Sequence, residues 1–494
     1  MRRIAHWSNG RALEGASGRH GPVFNPATGD QAAEVALASA NEVDDVVKVA
    51  TEAAGEWAAT SLSRRANVMF RYRELLDRHR DELAAIVTSE HGKVLDDAAG
   101  EVARGIENVE FATGIAHLLK GSVSTEVSTG VDVQTVLEPL GVVAGITPFN
   151  FPVMVPLWMA ANAIATGNAF VLKPSEKDPS ASVRLAELAK EAGLPDGVFN
   201  VVHGDADAVN ALLEHPDIAA ISFVGSTPIA RHIYETGTRH GKRVQALGGA
   251  KNHMVVLPDA DLDAAADAAI NAGYGSAGER CMAISVIVAV GPIADDLVER
   301  IAARIPDIVI GPGDDPDSMM GPLVTAQHRD KVRGYVVNAA EEGARVVVDG
   351  SLPPRDEGFF LGCSLLDDLK PGMKAYDDEI FGPVLGVTRA ANLDEAISII
   401  NATPYGNGVA VFTSDGAAAR HFQRNVHIGM VGVNVPIPVP VASHSFGGWK
   451  DSIFGDHPIY GPDGLRFYTR PKVITSRWPT HGGSTIDLGF PTTS

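Results

Sequence analysis

Between residues 141 and 247 the chain alternates five short apolar runs with four segments of helical period. The apolar runs fall at 141–147, 169–173, 198–203, 219–224 and 243–247, and the helical segments at 155–165, 180–192, 207–214 and 228–238. Strands that alternate with helices pair in parallel, because each crossover returns the chain to the same end of the sheet. Helices then cover both faces, so the strands read as continuous apolar runs. The pattern predicts a doubly wound, Rossmann-like α/β domain, in which ligands sit outside the carboxyl ends of the strands.

At 494 residues the chain is too long for one ordinary domain. A new strand is expected at 253–257 and a helix at 260–272, and a second α/β unit continues to about residue 440. Ahead of the first domain lie short strands, a turn at Asn25-Pro26-Ala27-Thr28-Gly29-Asp30, and helices starting with Asn41 as N-cap and continuing at 64–79, 81–90 and 95–119. Residues 123–137 and 468–478 alternate like exposed strands in need of a partner. The expected organisation is one domain from 1–120 and 139–246, a second from 247–440, and a small β oligomerisation element from 121–138 and 467–488. The last dozen residues read as a loose tail.

A formal net charge of −20 speaks against nucleic-acid or anionic-membrane binding, which needs a basic surface. Two cysteines, Cys281 and Cys363, make no disulfide framework and fit a reducing cytoplasm. Leu140 to Leu172 carries no charged residue, but Pro148, Pro152 and Pro156 would break a membrane helix, so a buried strand, turn and helix are expected there. The His residues are scattered, no Cys/His cluster has metal spacing, and no metal is expected.

Four stretches could carry chemistry. Phe223-Val224-Gly225-Ser226-Thr227-Pro228 runs from a strand into a helix N-terminus, where free N–H groups favour a phosphate; an ordinary βα turn is the plainer reading. Ile146-Thr147-Pro148-Phe149-Asn150-Phe151-Pro152 holds an amide at a strand end, which could donate to an oxyanion or merely satisfy its own turn. Gly278-Glu279-Arg280-Cys281 offers a thiol in a turn whose polar residues suggest the partial exposure a nucleophile needs, whereas Cys363 reads as inert core. Glu379-Ile380-Phe381-Gly382-Pro383-Val384 sets a carboxylate near an aromatic ring, suited to ribose hydroxyls and a flat ligand or to a plain turn.

In this order and spacing, with Lys173-Pro174-Ser175-Glu176 as a further match, these stretches resemble the aldehyde dehydrogenase superfamily from about residue 20 to Trp478. The resemblance implies a Rossmann-like NAD-binding domain, a catalytic domain and a β element joining a homotetramer. It implies an NAD site formed by Thr147, Phe149, Lys173, Glu176, Gly225, Ser226, Glu379 and Phe381, with Cys281 as nucleophile. The Asn150 side chain would form the oxyanion hole with a backbone N–H at Cys281. A ribose-binding Glu176 would repel a 2′-phosphate, which favours NAD over NADP.

One departure narrows the expectation. Most members carry Glu-Leu-Gly-Gly before the second domain, and that Glu activates the water that hydrolyses the thioester. Here Ala246-Leu247-Gly248-Gly249 puts a methyl in its place. This feature, with Gly278-Glu279-Arg280-Cys281-Met282-Ala283 and the closing run from Phe467 to Trp478, resembles the CoA-acylating methylmalonate-semialdehyde dehydrogenase branch. That branch implies coenzyme A as acyl acceptor and an aldehyde bearing a carboxylate, held by Arg104 and Arg280. Two plainer roles stay open: Arg280 only lowering the Cys281 pKa, and Arg104 only pairing with a nearby Glu. The alternative activity is hydrolytic oxidation of another aldehyde with a base drawn from elsewhere, such as Glu279. A non-catalytic scaffold would have no use for Cys281, Asn150 and Glu379 together.

Overall fold

The computed structural model describes residues 1–478. The first sheet has eight strands, in the order Ile453–Phe454, Arg243–Leu247, Ile218–Val224, Val142–Ile146, Ala169–Lys173, Phe199–Val201, His6–Ser8, Arg11–Leu13. Its central five are parallel, as the alternation requires, and residues of Val142–Ile146 and Ala169–Lys173 are buried throughout. Val142–Ile146 comes first in the chain among these five yet lies in their middle, so the strand order reverses between it and Ile218–Val224. That switch point is where a doubly wound sheet opens a crevice. The register sets Ile146 beside both Phe223 and Lys173, which brings three strand ends level at the crevice.

The uncharged run folds as expected into a buried strand, a turn and the wholly buried helix Met154–Ala165. Among the described residues no helix is long and apolar enough to cross a membrane. Glu101, on the neighbouring helix Leu95–Thr113, accepts from Val153 N (2.8 Å) and Met154 N (3.2 Å) at the N-terminus of the buried helix. A carboxylate there satisfies orphan N–H groups and faces the positive end of the dipole.

The expected N-cap at Asn41 is displaced. Helix Ala40–Ala59 is capped by Ser39, whose hydroxyl accepts from Glu42 N while the Glu42 carboxylate accepts from Ser39 N at 2.8 Å. The Ser-x-x-Glu spacing at 39–42 is the local signal for this reciprocal box, and it outranks a lone Asn.

The second sheet has seven strands, in the order Arg345–Val348, Ser364–Asp367, Val384–Ala390, Ile284–Val290, Asn252–Val256, Gly408–Phe412, Met430–Val433. All pair in parallel except Arg345–Val348 at one edge. The chain then returns to the first sheet, where Ile453–Phe454 pairs antiparallel with Ala246 and Leu247. A separate antiparallel sheet joins Ser122–Ser128, Val131–Pro139 and Thr469–Arg477. The part of the expected β element after residue 478, and the tail, lie outside the described residues.

Candidate active site

Three strand ends meet at the switch point. After Ile146, the Thr147 N–H donates to Lys173 O (3.1 Å), while its buried hydroxyl has no protein partner. After Val224, Gly225 donates its N–H to Leu247 O (3.1 Å), and a Cβ added there would lie 2.4 Å from the Phe223 ring, so only glycine fits. Ser226, in extended conformation, precedes helix Thr227–Arg239 without capping it through its side chain, which leaves the first helical N–H groups free. After Lys173, the buried ammonium lies 3.4 Å from Glu176.

Asn150 is buried beyond the first of these ends. Its backbone carbonyl accepts from Lys93 Nζ (2.6 Å), and Lys93 also pairs with Glu101 (2.7 Å). Its side-chain amide donates to the Glu279 carbonyl at 3.0 Å, across the boundary between the two sheets. An amide has two N–H bonds, so one remains for a ligand.

The turn that leads to Cys281 is unusual backbone. Ser276, Ala277 and Gly278 have φ of 54°, 52° and 71° in succession. A Cβ at Gly278 would lie 2.2 Å from Gly382 O, so this turn touches the Glu379–Gly382 loop backbone to backbone. The Cys281 carbonyl accepts from Asn252 Nδ2 (2.9 Å) and Asn407 Nδ2 (3.0 Å), which pins the residue at the start of two neighbouring strands of the second sheet.

Cys281 is partly exposed and stands between two openings. On one side is a cavity of about 600 Å³ walled by Phe151, Met154, Trp158 and Phe446, into which Arg104 and Arg280 also project. On the other is a narrow pocket shared with Glu379 and Phe381. Arg280 Nη2 pairs with Asp97 at 2.6 Å; Arg104 pairs with Glu107 at 2.6 Å and donates to Pro440 O at 2.9 Å. The ion pair with a nearby Glu expected for Arg104 therefore exists, on a side chain that still lines the cavity.

Burial pushes the Cys281 thiol up to about 12, and the Glu379 carboxylate adds to this; the backbone N–H groups of Cys281 and Met282 and the Arg280 charge oppose it without prevailing. The thiol is therefore protonated at neutral pH, with the Arg280 charge offsetting only part of the rise. Alkylation of Cys281 by iodoacetamide, without added ligand, is expected to rise about tenfold per pH unit between roughly pH 7 and 10, since thiolate is the reacting form. A rate that levels off near pH 8 would contradict the buried-thiol state. Cys363, buried in the core beside Met320, stays unlabelled in the folded protein.

Glu279 corrects the expectation of an exposed polar pair. Arg280 reaches the cavity, but Glu279 is fully buried, with its carboxyl accepting from Val324 N (3.3 Å). Burial raises it to about 8, so at neutral pH it is protonated and poorly suited to act as a base. Ala246 is buried between its cross-strand neighbours Phe223 and Phe454. Glu379 Oε1 accepts from Ala250 N (3.0 Å), and burial lifts this carboxyl to about 7. A Cβ at Gly249 would lie 2.4 Å from Glu379 Oε2, so any larger residue there would have to move this carboxyl. Phe381, at φ 59°, packs edge-on against Phe149 with ring centroids 5.8 Å apart.

Sequence reasoning did not find Lys93, Glu101, Asn252, Asn407 or Asp97. Each acts on a loop far along the chain, and none has a local motif. Among the described residues no group of His, Cys, Asp and Glu could hold a metal ion.

Comparison with known proteins agrees with this geometry. The profile of the aldehyde dehydrogenase family matches residues 13–474. A malonate-semialdehyde dehydrogenase of Pseudomonas aeruginosa is 53% identical over 483 residues, covering 97% of each chain. Malonate-semialdehyde dehydrogenase 2 of Geobacillus kaustophilus is 49% identical over 477 residues, 96% of this chain and 99% of its own. Among solved structures, a candidate methylmalonate-semialdehyde dehydrogenase of Sinorhizobium meliloti 1021, complexed with NAD, matches with a TM-score of 0.96 and 52% identity over 97% of this chain and 99% of that one. With its cysteine turn, switch-point crevice and full-length matches in accord, the chain belongs to the aldehyde dehydrogenase family.

Proposed function

We propose that the protein is an NAD-dependent, CoA-acylating dehydrogenase of malonate and methylmalonate semialdehydes. The observation that carries this reading is the cavity in which Cys281 lies alongside two arginines, with Ala246 supplying no carboxylate at its strand end.

The crevice residues suit a dinucleotide. The uncapped helix after Ser226, the close-packed Gly225 and the unpartnered Thr147 hydroxyl fit a pyrophosphate. Lys173 and Glu176 would hold the adenosine ribose, Glu379 the other ribose, and Phe149 and Phe381 would flank the nicotinamide. NAD, when bound, accepts the hydride lost by the substrate carbon.

The chain's own groups do the rest. The Cys281 sulfur gives up its proton to water in the cavity and bonds to the aldehyde carbon, and the carbonyl oxygen becomes an oxyanion held by the free Asn150 N–H and the Cys281 backbone N–H. Collapse of the oxyanion leaves a thioester on Cys281. Arg104 and Arg280 hold the substrate's carboxylate. In the acyl-enzyme that carboxylate is β to the thioester carbonyl, so C–C cleavage releases CO2 and sends the electron pair into a thioester enolate. The same donors stabilise the enolate oxygen until the carbon is protonated. The thiol of CoA then displaces Cys281, a step that needs less assistance than attack by water. The products are acetyl-CoA and propionyl-CoA respectively. The deciding experiment incubates protein, NAD and malonate semialdehyde with and without CoA and identifies products by mass; free acid formed equally in both would sink the proposal.

Gly225→Ala tests the dinucleotide site. Its methyl must displace the Phe223 ring or the turn, so KM for NAD is expected to rise about tenfold, with kcat at saturating NAD changed far less.

The proposal extends to organisation and assembly. Residues 1–120 and 139–246 hold the cofactor, 247–440 carry the nucleophile, and the three-stranded sheet joins subunits into a homotetramer. The exposed edge strand Ser122–Ser128, with Val123, Val136 and Val473 exposed on the same sheet, supports this. Two free cysteines and no disulfide among the described residues fit a reducing cytoplasm.

A further inference from the structure

We propose that Glu279 is a positioning residue for Cys281: with His91 and His328 it forms a buried clasp that fixes the nucleophile turn against the Asn150 turn and the Phe381 loop. The proposal rests on Cys281 being the nucleophile.

Three segments distant in sequence meet at this one carboxyl: its own turn, residues 324–328 and His91. Glu279 Oε1 accepts from Val324 N (3.3 Å) and lies 3.6 Å from His328 Nε2. His328 Nε2 in turn donates to Phe381 O at 2.7 Å. Glu279 Oε2 lies 3.8 Å from His91 Nε2; both atoms are buried and neither has a hydrogen-bond partner. His91 Nδ1 accepts from Lys93 N (3.3 Å), so the neutral ring carries its proton on Nε2, toward Glu279. The Phe149 ring packs near both imidazoles, at 5.9 Å from His91 and 6.4 Å from His328. Through its backbone carbonyl Glu279 also receives the Asn150 amide. One residue thus joins the thiol turn to the proposed oxyanion donor by its main chain and to the Phe381 side of the site by its side chain.

The clasp suits a neutral carboxyl. The lysines that face it are committed elsewhere: Lys93 to Glu101 and the Asn150 carbonyl, Lys177 over the Phe149 ring at 4.5 Å. Neither histidine can supply a charge near neutrality, because burial drives His91 well below its ordinary value and His328 to about 4. Ionised Glu279 would be a buried charge without a paired cation. Its folded pKa, about 8, lies above the ordinary carboxylate value. The protonated form therefore favours the closed clasp, and that advantage is lost as pH rises from the ordinary carboxylate range through about 8.

Glu279→Gln keeps the shape and cannot ionise; Glu279→Leu keeps the bulk and loses the polar contacts. We expect the parent's kcat to fall above about pH 8, and Glu279→Gln to retain kcat at pH 7 within about threefold and to lose that falling limb. Glu279→Leu is expected to lower kcat at least about tenfold, with KM for NAD little changed. If Glu279→Gln is as impaired as Glu279→Leu, or keeps the falling limb unmoved, the proposal is overturned. Should Glu279→Leu not fold, the pH profile of Glu279→Gln decides alone. Cys281 alkylation is the separate control: activity surviving full modification would refute the nucleophile assignment itself, whatever the Glu279 variants do.

Discussion

Omitting coenzyme A is expected to leave a burst of about one NADH per competent subunit, followed by turnover at least about 100-fold slower, because a positioned general base is worth roughly 10²–10⁴ in rate and none stands ready for water. Three positions support the expectation. Ala246 has no ionisable group and is enclosed by Phe223 and Phe454. Glu279 is protonated at neutral pH and turned to Val324 and the two histidines. Glu379 is tied to the Ala250 N–H and faces the pocket assigned to the cofactor. The acyl-Cys281 thioester should therefore accumulate until a thiol removes it. Stopped-flow absorbance measures the burst, and mass spectrometry of the quenched protein locates the acyl group on Cys281. Steady NADH formation at the same rate without CoA would instead mean that a base has been overlooked and that the hydrolytic activity is the real one.

The second large effect concerns the arginines. Hydrogen bonds to charged groups are worth about 1.5–3 kcal/mol each, so Arg280→Leu and Arg104→Leu should each lower kcat/KM for malonate semialdehyde roughly ten- to a hundred-fold or more. Propanal, which lacks the carboxylate, should lose far less. Arg280→Leu should be the more damaging, because it also leaves Asp97 unpaired at the wall of the cavity, where its charge repels the substrate's. Arg104→Leu leaves Glu107, which is more exposed to solvent screening. Steady-state kinetics on both aldehydes reads the difference. Equal losses on the two substrates would assign the arginines to the fold or the thiol.

Much of the architecture was legible in the order of residues. The strand–helix alternation that begins at residue 141, the continuous apolar strands and the small residues at 225–226 follow from backbone geometry, which acts over a few residues. The same local rules mark Gly278 and the Ser39–Glu42 box, although the box was passed over for Asn41. The stretches holding Thr147, Asn150, Lys173, Gly225, Cys281 and Glu379 could be singled out because each lies at a strand end or turn.

What the residues by themselves determined was where chemistry could sit and, through Ala246, which chemistry lacks a base. Tertiary structure alone decided the state of those groups. Cys281 carries a raised thiol because distant segments crowd its half-buried side chain and Glu379 is brought near. Glu279, polar in sequence and adjacent to a half-buried arginine, is buried and neutral because Val324, His91 and His328 close over it. Arg280 meets Asp97 across 183 positions of chain. Burial and charge pairing are set by desolvation and by distances through space, and no local pattern of residues encodes either.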